Sequence, residues 1–224
     1  IGYIVTYVQT VPLFAVDFSD PKNPVILDEF KIDGFSTYMQ KWDENHLLGF
    51  GLSTHDNGYG GEARDGYKLV MFDNSDPENL KEVGVFKVLD NDMKMISLLT
   101  DTPESELSED ISSIYFYSDA DYERKELLIA PEKNLIGFPV QYDCMTDSSD
   151  DKNVIFDRSF GSGYMLFSYD NNEFTLKNFL GDKDVREYGY YTGFGLYNRA
   201  VYIGDYVYIV SDGKLMSADI ETGT

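Results

Sequence analysis

The chain has 224 residues, of which 40 are acidic and 18 basic, giving a formal net charge of −22. Such a surface repels phosphate backbones and anionic lipid headgroups, which argues against nucleic acid or bare membrane as partners. The single cysteine, Cys144, excludes an intrachain disulfide and a multi-cysteine zinc site, and no apolar run approaches the roughly 20 residues that span a bilayer.

Composition favours strands over helices. The chain contains 18 Tyr, 15 Phe and 19 Gly, and long runs of helix-forming residues are scarce. Aromatic residues are enriched in β-strands, and glycine is common in the turns between them. The composition therefore predicts an all-β fold.

Predicted elements in chain order are short apolar or alternating runs separated by turn-forming residues. These runs predict strands at 2–7, 13–17, 25–32, 36–40, 46–53, 67–72, 81–88, 118–122, 126–142 (broken at "PEKN"), 163–169, 174–180, 199–203, 206–211 and 214–219. Two polar stretches, 101–110 and 143–163, are interpreted as acidic insertions.

Part of this pattern of predicted strands and turns is repeated along the chain. The segment beginning at Leu13 matches the one beginning at Leu69 at eight of twenty positions, with an offset of 56 residues. Both contain Leu-x-x-x-Asp at a strand end, then Ser-Asp-Pro, in which Pro fixes a turn corner and Asp bonds nearby backbone. Leu-x-x-x-Asp recurs at Leu166 and Leu215. A period near fifty residues with several strands per unit predicts β-propeller blades of four-stranded antiparallel sheets. The predicted units are 1–33, 34–89, 90–181 and 182–224.

Three segments carry a family resemblance: "VTYVQTVPLFAVDFSDPKNPVILDEFKIDGFSTYMQKWDENHLLGFG" (5–51), "YSDADYERKELL" (117–128) and "YIGDYVYIVSDGKLMSADIET" (202–222). The chain resembles the secreted bacterial and archaeal β-propeller domain proteins, which are distantly related to WD40 repeats. The resemblance implies a propeller, an extracellular or cell-surface location and a longer parent protein with a signal or anchor. We accordingly expect the chain to be a C-terminal part of a longer propeller. The resemblance implies no catalytic role.

Two candidate ligand sites follow from residue type. The segment "YGYYTGFG", interpreted as a loop, would expose Tyr188, Tyr190, Tyr191 and Phe194 to a carbohydrate or peptide. Acidic loops could supply oxygen ligands to calcium, with Asp147, Asp150 and Asp151 as the main candidates. The pairs Asp90 with Asp92 and Asp119 with Asp121 are further candidates; none of these follows the EF-hand pattern.

No catalytic constellation is recognised. Ser53, His55 and Asp56 are too close in sequence to converge on one reacting atom, and we interpret His55 as a surface-loop residue. Acidic neighbours disfavour the thiolate of Cys144. The sequence therefore predicts a non-enzymatic extracellular scaffold that binds a protein, peptide or glycan. The alternative is a propeller hydrolase or lyase with acidic residues at the central channel.

Overall fold

The computed structural model describes residues 1–5, 11–32, 34–107, 111–150, 153–187, 199–211 and 214–224. Within them the chain forms four antiparallel sheets, here called A to D, and one short α-helix. The prediction of an all-β fold is confirmed. The chain divides into two compact units, each described here by itself: the first comprises residues 1–87 and 170–174, and the second residues 88–169 and 175–224.

The first unit contains sheets A and B, each a meander in chain order. Sheet A consists of β1 (Gly2–Val5), β2 (Val11–Asp17) and β3 (Val25–Ile32). Sheet B consists of β4 (Phe35–Lys41), β5 (His46–Asp56), β6 (Glu62–Asp73) and β7 (Lys81–Leu89).

The second unit contains sheets C and D. Sheet C consists of β8 (Ile111–Tyr117), β9 (Leu128–Ala130), β10 (Leu135–Asp150), β11 (Asn153–Asp170) and β12 (Glu173–Glu187), in the order β12-β11-β10-β8 with β9 also paired to β10. Sheet D consists of β13 (Arg199–Ile203), β14 (Tyr206–Ser211) and β15 (Lys214–Asp219). Helix α1 covers Met93–Thr100, and 3-10 turns lie at Glu104–Glu106, Asp119–Asp121, Arg124–Glu126 and Pro131–Lys133.

An apolar core joins the two sheets of each unit. In the first unit Leu13 of sheet A belongs to one buried cluster with Val70 and Phe72 of sheet B. The Phe30 ring meets the Phe72 ring edge to face, with centroids 6.1 Å apart. The core of the second unit joins sheet C residues Leu128, Ala130, Leu135, Tyr164 and Leu166 to sheet D residues Val207, Ile209 and Ala218. Alternate strand residues point to opposite faces, so each sheet buries one apolar row in this core.

The repeated turn has a local cause. Asp17 Oδ1 accepts a hydrogen bond from the backbone N–H of Ser19 at 2.8 Å, and Asp73 Oδ1 accepts one from Ser75 at 2.9 Å. In both copies hydrogen bonds from the serine side chain and backbone lower the pKa of the aspartate. The four Leu-x-x-x-Asp segments end β2, β6, β11 and β15, one in each sheet. The repeat therefore marks successive sheets.

Three sequence-based expectations are wrong in detail. The strand expected at 118–122 is a 3-10 turn, Asp119–Asp121, and the preceding segment Ile111–Tyr117 is the strand instead. Residues 143–150 and 153–163, which belong to the stretch interpreted as an acidic insertion, extend two paired strands in which Asp143 pairs with Phe160 and Asp150 with Asn153. Helix α1 was not expected; it begins where Asp92 Oδ1 accepts hydrogen bonds from two first-turn amides.

Candidate functional site: a cleft in the first unit

A cleft with a volume of about 520 Å³ is lined by residues of sheets A and B and of the turns beside them. Its lining includes Tyr3, Met39, Lys41, Glu44, Asn74 and Pro77. Ligand pockets commonly have volumes of about 300–1,000 Å³, so this cleft is large enough for a small ligand or a short segment of a larger one.

Two turns of sheet B form one wall of the cleft. In the turn between β4 and β5, Asp43 Oδ1 accepts from the backbone N–H of Asn45 at 2.8 Å and contacts His46 Nδ1 at 2.8 Å. In the turn after β6, the backbone N–H of Asn74 donates to the carbonyl of Asn45 at 2.8 Å. The two turns are therefore held against each other, which keeps this wall in place.

Tyr3 of sheet A adds a hydrogen-bonding group to the cleft. Asn74 Nδ2 donates to the Tyr3 hydroxyl at 3.0 Å. Because that oxygen acts as an acceptor in this bond, the hydroxyl hydrogen can be donated to a ligand. Lys41 and Glu44 are exposed at the same cleft and add a positive and a negative charge. The lining thus combines apolar, aromatic and charged groups.

The aromatic site predicted from the sequence belongs to a different segment from the residues that line this cleft. Tyr188, Tyr190, Tyr191 and Phe194 all lie outside the described residues. Their role in ligand binding stays a prediction.

The predicted calcium residues are only partly placed. Asp147 and Asp150 lie in strand β10, where a loop was expected, and Asp151 lies outside the described residues. Asp90 Oδ1 accepts from the backbone N–H of Phe116 at 2.8 Å, and Asp92 caps helix α1. In the portion of the chain that the structure describes, no group of three or more His, Cys, Asp or Glu residues is arranged to hold a metal ion.

His55 does not lie in a loop. It belongs to strand β5, and its Nδ1 lies 3.4 Å from Asp65 Oδ2. Ser53, in the same strand, is buried with 1% of its surface exposed, whereas the His55 side chain is 57% exposed. Cys144 is buried within β10.

Glu126 is a distinctive residue that sequence reasoning missed. It ends the 3-10 turn Arg124–Glu126 and is only 3% exposed, and no described residue forms a hydrogen bond with its Oε2 atom. Burial, followed by the charges of Asp119 and Glu123, raises its pKa from 4.5 to about 7, while Arg199 acts in the opposite direction. No sequence signal distinguishes this carboxyl group from the other acidic residues, because its burial depends on the tertiary structure.

Comparison with known proteins supplies the family. The sequence matches the family described as Beta propeller domain over residues 1–223. It is 43% identical over 82 residues to an uncharacterized protein of Archaeoglobus fulgidus. That alignment covers 37% of this chain and 12% of the Archaeoglobus protein. It is 41% identical over 87 residues to an uncharacterized protein of Methanocaldococcus jannaschii. This second alignment covers 39% of this chain and 12% of the Methanocaldococcus protein.

These alignments span about an eighth of each relative's length. No solved structure matches the chain significantly. None of the helices in the described ranges is long and apolar enough to cross a membrane. The family match extends over almost the entire sequence, and on that evidence the chain belongs to the β-propeller domain family.

Proposed function

We propose that the chain is a non-enzymatic binding scaffold, and that the cleft of the first unit holds part of a protein, peptide or glycan partner. The observation that carries the proposal is the cleft itself, with its volume of about 520 Å³ and its mixture of apolar, aromatic and charged lining. Binding pockets typically combine a largely apolar wall with a few polar groups that orient the ligand.

The lining indicates how a partner would be held. The Tyr3 ring and the side chains of Met39 and Pro77 provide apolar surface, on which a sugar ring or an apolar side chain can pack. The Tyr3 hydroxyl and the charges of Lys41 and Glu44 would then orient the partner's polar groups.

An extracellular or cell-surface location is part of the proposal. It rests on the resemblance of the repeat segments to secreted propeller proteins. The net charge of −22 further supports a partner that is neither nucleic acid nor a bare anionic membrane.

The alternative function, a hydrolase or lyase, requires an acidic group that a substrate can reach. Glu126 has a pKa of about 7, as a general acid at neutral pH would, but it is only 3% exposed. Because a substrate cannot reach it there, Glu126 does not support catalysis, and binding is the better supported function.

A pair of charge-swap variants tests the cleft. The probes are an oligosaccharide array and a peptide array, with hits quantified by titration. The variant Lys41→Glu with Glu44→Lys exchanges the two charges of the cleft and keeps the net charge unchanged. We expect it to weaken the binding of array hits at least tenfold, because the ligand's polar groups would face the wrong charge.

The matched control is Lys22→Glu with Glu29→Lys, which exchanges two exposed charges of the same unit that do not line the cleft. It should bind the same hits with unchanged affinity. Equal binding by the parent chain and both variants would refute the cleft as the site. Arrays without hits, combined with turnover in a hydrolase screen, would refute the scaffold function.

A further inference from the structure

Strand β4 has a free edge at the cleft of the first unit. Sheet B runs in the order β4-β5-β6-β7, so β4 pairs with β5 on one side and with no described strand on the other. Met39, Gln40 and Lys41, at the end of β4, belong to the lining of the cleft. A strand edge presents backbone N–H and carbonyl groups with which another chain can pair.

The strand register shows which of these backbone groups point to the free edge. The Trp42 N–H donates to the His46 carbonyl at 2.9 Å, which makes these residues a hydrogen-bonded pair between β4 and β5. Such pairs alternate with non-hydrogen-bonded pairs along antiparallel strands. Counting back along β4, Gln40 bonds to β5 whereas Met39 and Lys41 do not. The N–H and carbonyl groups of Met39 and Lys41 therefore point away from β5.

This arrangement matches the backbone of an extended peptide. Met39 and Lys41 lie two positions apart, and each offers one N–H donor and one carbonyl acceptor. A peptide strand beside β4 presents its own amide groups with the same two-residue period, whereas the hydroxyl groups of a glycan have no such period. Tyr3 and Met39 also pack against the apolar core of the unit and line the cleft, so they offer apolar surface to the peptide's side chains.

The turns beside this edge are acidic. The turn between β4 and β5 contains Asp43 and Glu44, and the turn after β6 contains Asp76 and Glu78; all four residues are exposed. Neither turn contains a lysine or an arginine, and these acids outnumber the single positive charge of Lys41 at the end of β4. The chain as a whole has a net charge of −22. The local and the overall charge both favour a positively charged peptide.

We propose that the cleft binds an extended, positively charged peptide, which adds to the free edge of β4 as a further antiparallel or parallel strand. The inference rests on the proposed function and narrows its partner to a peptide of one conformation and one charge. Main-chain hydrogen bonds to Met39 and Lys41 hold the peptide, and its alternate side chains contact the cleft lining, as in other cases of strand addition.

Two variants at Lys41 isolate the backbone hydrogen bond. Lys41→Pro removes the N–H that points to the free edge, and proline is tolerated at a strand edge where the N–H bonds to no neighbouring strand. Lys41→Ala removes the same side-chain charge but retains the N–H. The probes are short acetylated and amidated peptides in which lysine alternates with valine or tyrosine, titrated by calorimetry against the full chain. We expect Lys41→Pro to bind them about tenfold more weakly than Lys41→Ala.

The same peptides with glutamate in place of lysine test the charge. They should not bind, and the affinity of the lysine peptides should fall as NaCl is added, because salt screens the attraction. Glutamate peptides that bind as well as the lysine peptides would overturn the assignment of a positively charged partner.

N-methylated peptides give a second measurement that uses the parent chain. Methylating the alternate amides that face β4 should abolish binding, whereas methylating the other alternate amides should leave it intact. Loss of binding with both sets, or with neither set, would overturn strand addition. Circular dichroism of each Lys41 variant, compared with the parent spectrum, establishes that the variants are folded.

The results distinguish failure of this inference from failure of the proposed function. Equal affinities of Lys41→Pro and Lys41→Ala, or lysine peptides that do not bind the parent chain, would overturn strand addition. Array glycans whose binding is weakened by exchanging the Lys41 and Glu44 charges would then identify the cleft as a glycan site. If that exchange weakens the binding of neither glycans nor peptides, the cleft is not the binding site and both proposals fail.

Discussion

Replacing Glu126 by glutamine should stabilise the protein at alkaline pH and have a smaller effect near pH 5.5. The Glu126 side chain is almost completely buried, and its Oε2 atom has no hydrogen-bond partner within the described part of the chain. Glutamine has nearly the same shape but does not ionise. The substitution therefore removes the buried charge and leaves the packing in place.

The magnitude follows from the pKa of Glu126, which is about 7 in the folded chain against 4.5 when unperturbed. Below pH 4.5 the carboxyl is protonated in both folded and unfolded chains, and its contribution to stability is fully present. Between pH 4.5 and 7 the unfolded chain releases the proton while the folded chain retains it, so stability falls as pH rises. One pKa unit corresponds to 1.36 kcal/mol. Above pH 7 the free energy of unfolding is therefore lower than below pH 4.5 by at most about 3 kcal/mol on account of Glu126.

Urea denaturation at pH 5.5 and pH 8 measures this effect, both values lying above the isoelectric point of about 4.2. The free energy of unfolding of Glu126→Gln should exceed that of the parent chain by about 1 kcal/mol at pH 5.5 and by up to about 3 kcal/mol at pH 8. The control Glu221→Gln, at an exposed position of the same unit, should show no such pH-dependent difference. A difference for Glu126→Gln that is equal at the two pH values would refute the reasoning.

Three further substitutions test individual contacts by their effect on the free energy of unfolding. Tyr164→Phe should cost about 1–3 kcal/mol, because the buried Tyr164 hydroxyl donates to two backbone carbonyls, at 2.6 and 3.2 Å; an unchanged urea midpoint would contradict this. Gly49→Ala should cost about 1–3 kcal/mol, because its Cβ would lie 2.7 Å from Ser36 Oγ. Adding Ser36→Ala should restore part of that loss, and no restoration would argue against the clash. Asp92→Ala should cost about 1 kcal/mol and speed hydrogen exchange of the first-turn amides of α1, whereas unchanged exchange would show that the cap is dispensable.

Much of the strand pattern was predictable because its causes are local. The Ser-Asp-Pro turns depend on bonds between residues two positions apart, such as Asp17 with Ser19, and the same residue types produced the same turn twice. The extension of β10 and β11 was missed because its residues, around Asp143 to Asp150, are polar and lack the alternation of a half-buried strand. Helix α1 was missed although Asp92 provides a capping residue, because an eight-residue helix has a weak periodic signal.

The candidate cleft was not predictable from any single segment. Tyr3 and Asn74 are 71 positions apart in the sequence, and they meet because sheets A and B pack on a common core. The residues that sequence reasoning favoured for ligand binding, such as Tyr188, were selected by composition alone, which indicates surface chemistry but not the walls of a cavity.

The amino-acid sequence by itself determined the all-β class, the turns and the repeat that places one Leu-x-x-x-Asp segment in each sheet, since these depend on neighbouring residues. Only the tertiary structure decided that Glu126 and Asp143 are buried while acidic residues such as Glu221 are exposed, and that Leu215 is 70% exposed while Leu13 is fully buried. Identical residue types acquire different burial because desolvation depends on which distant side chains pack against them, and that information is spread over the whole chain.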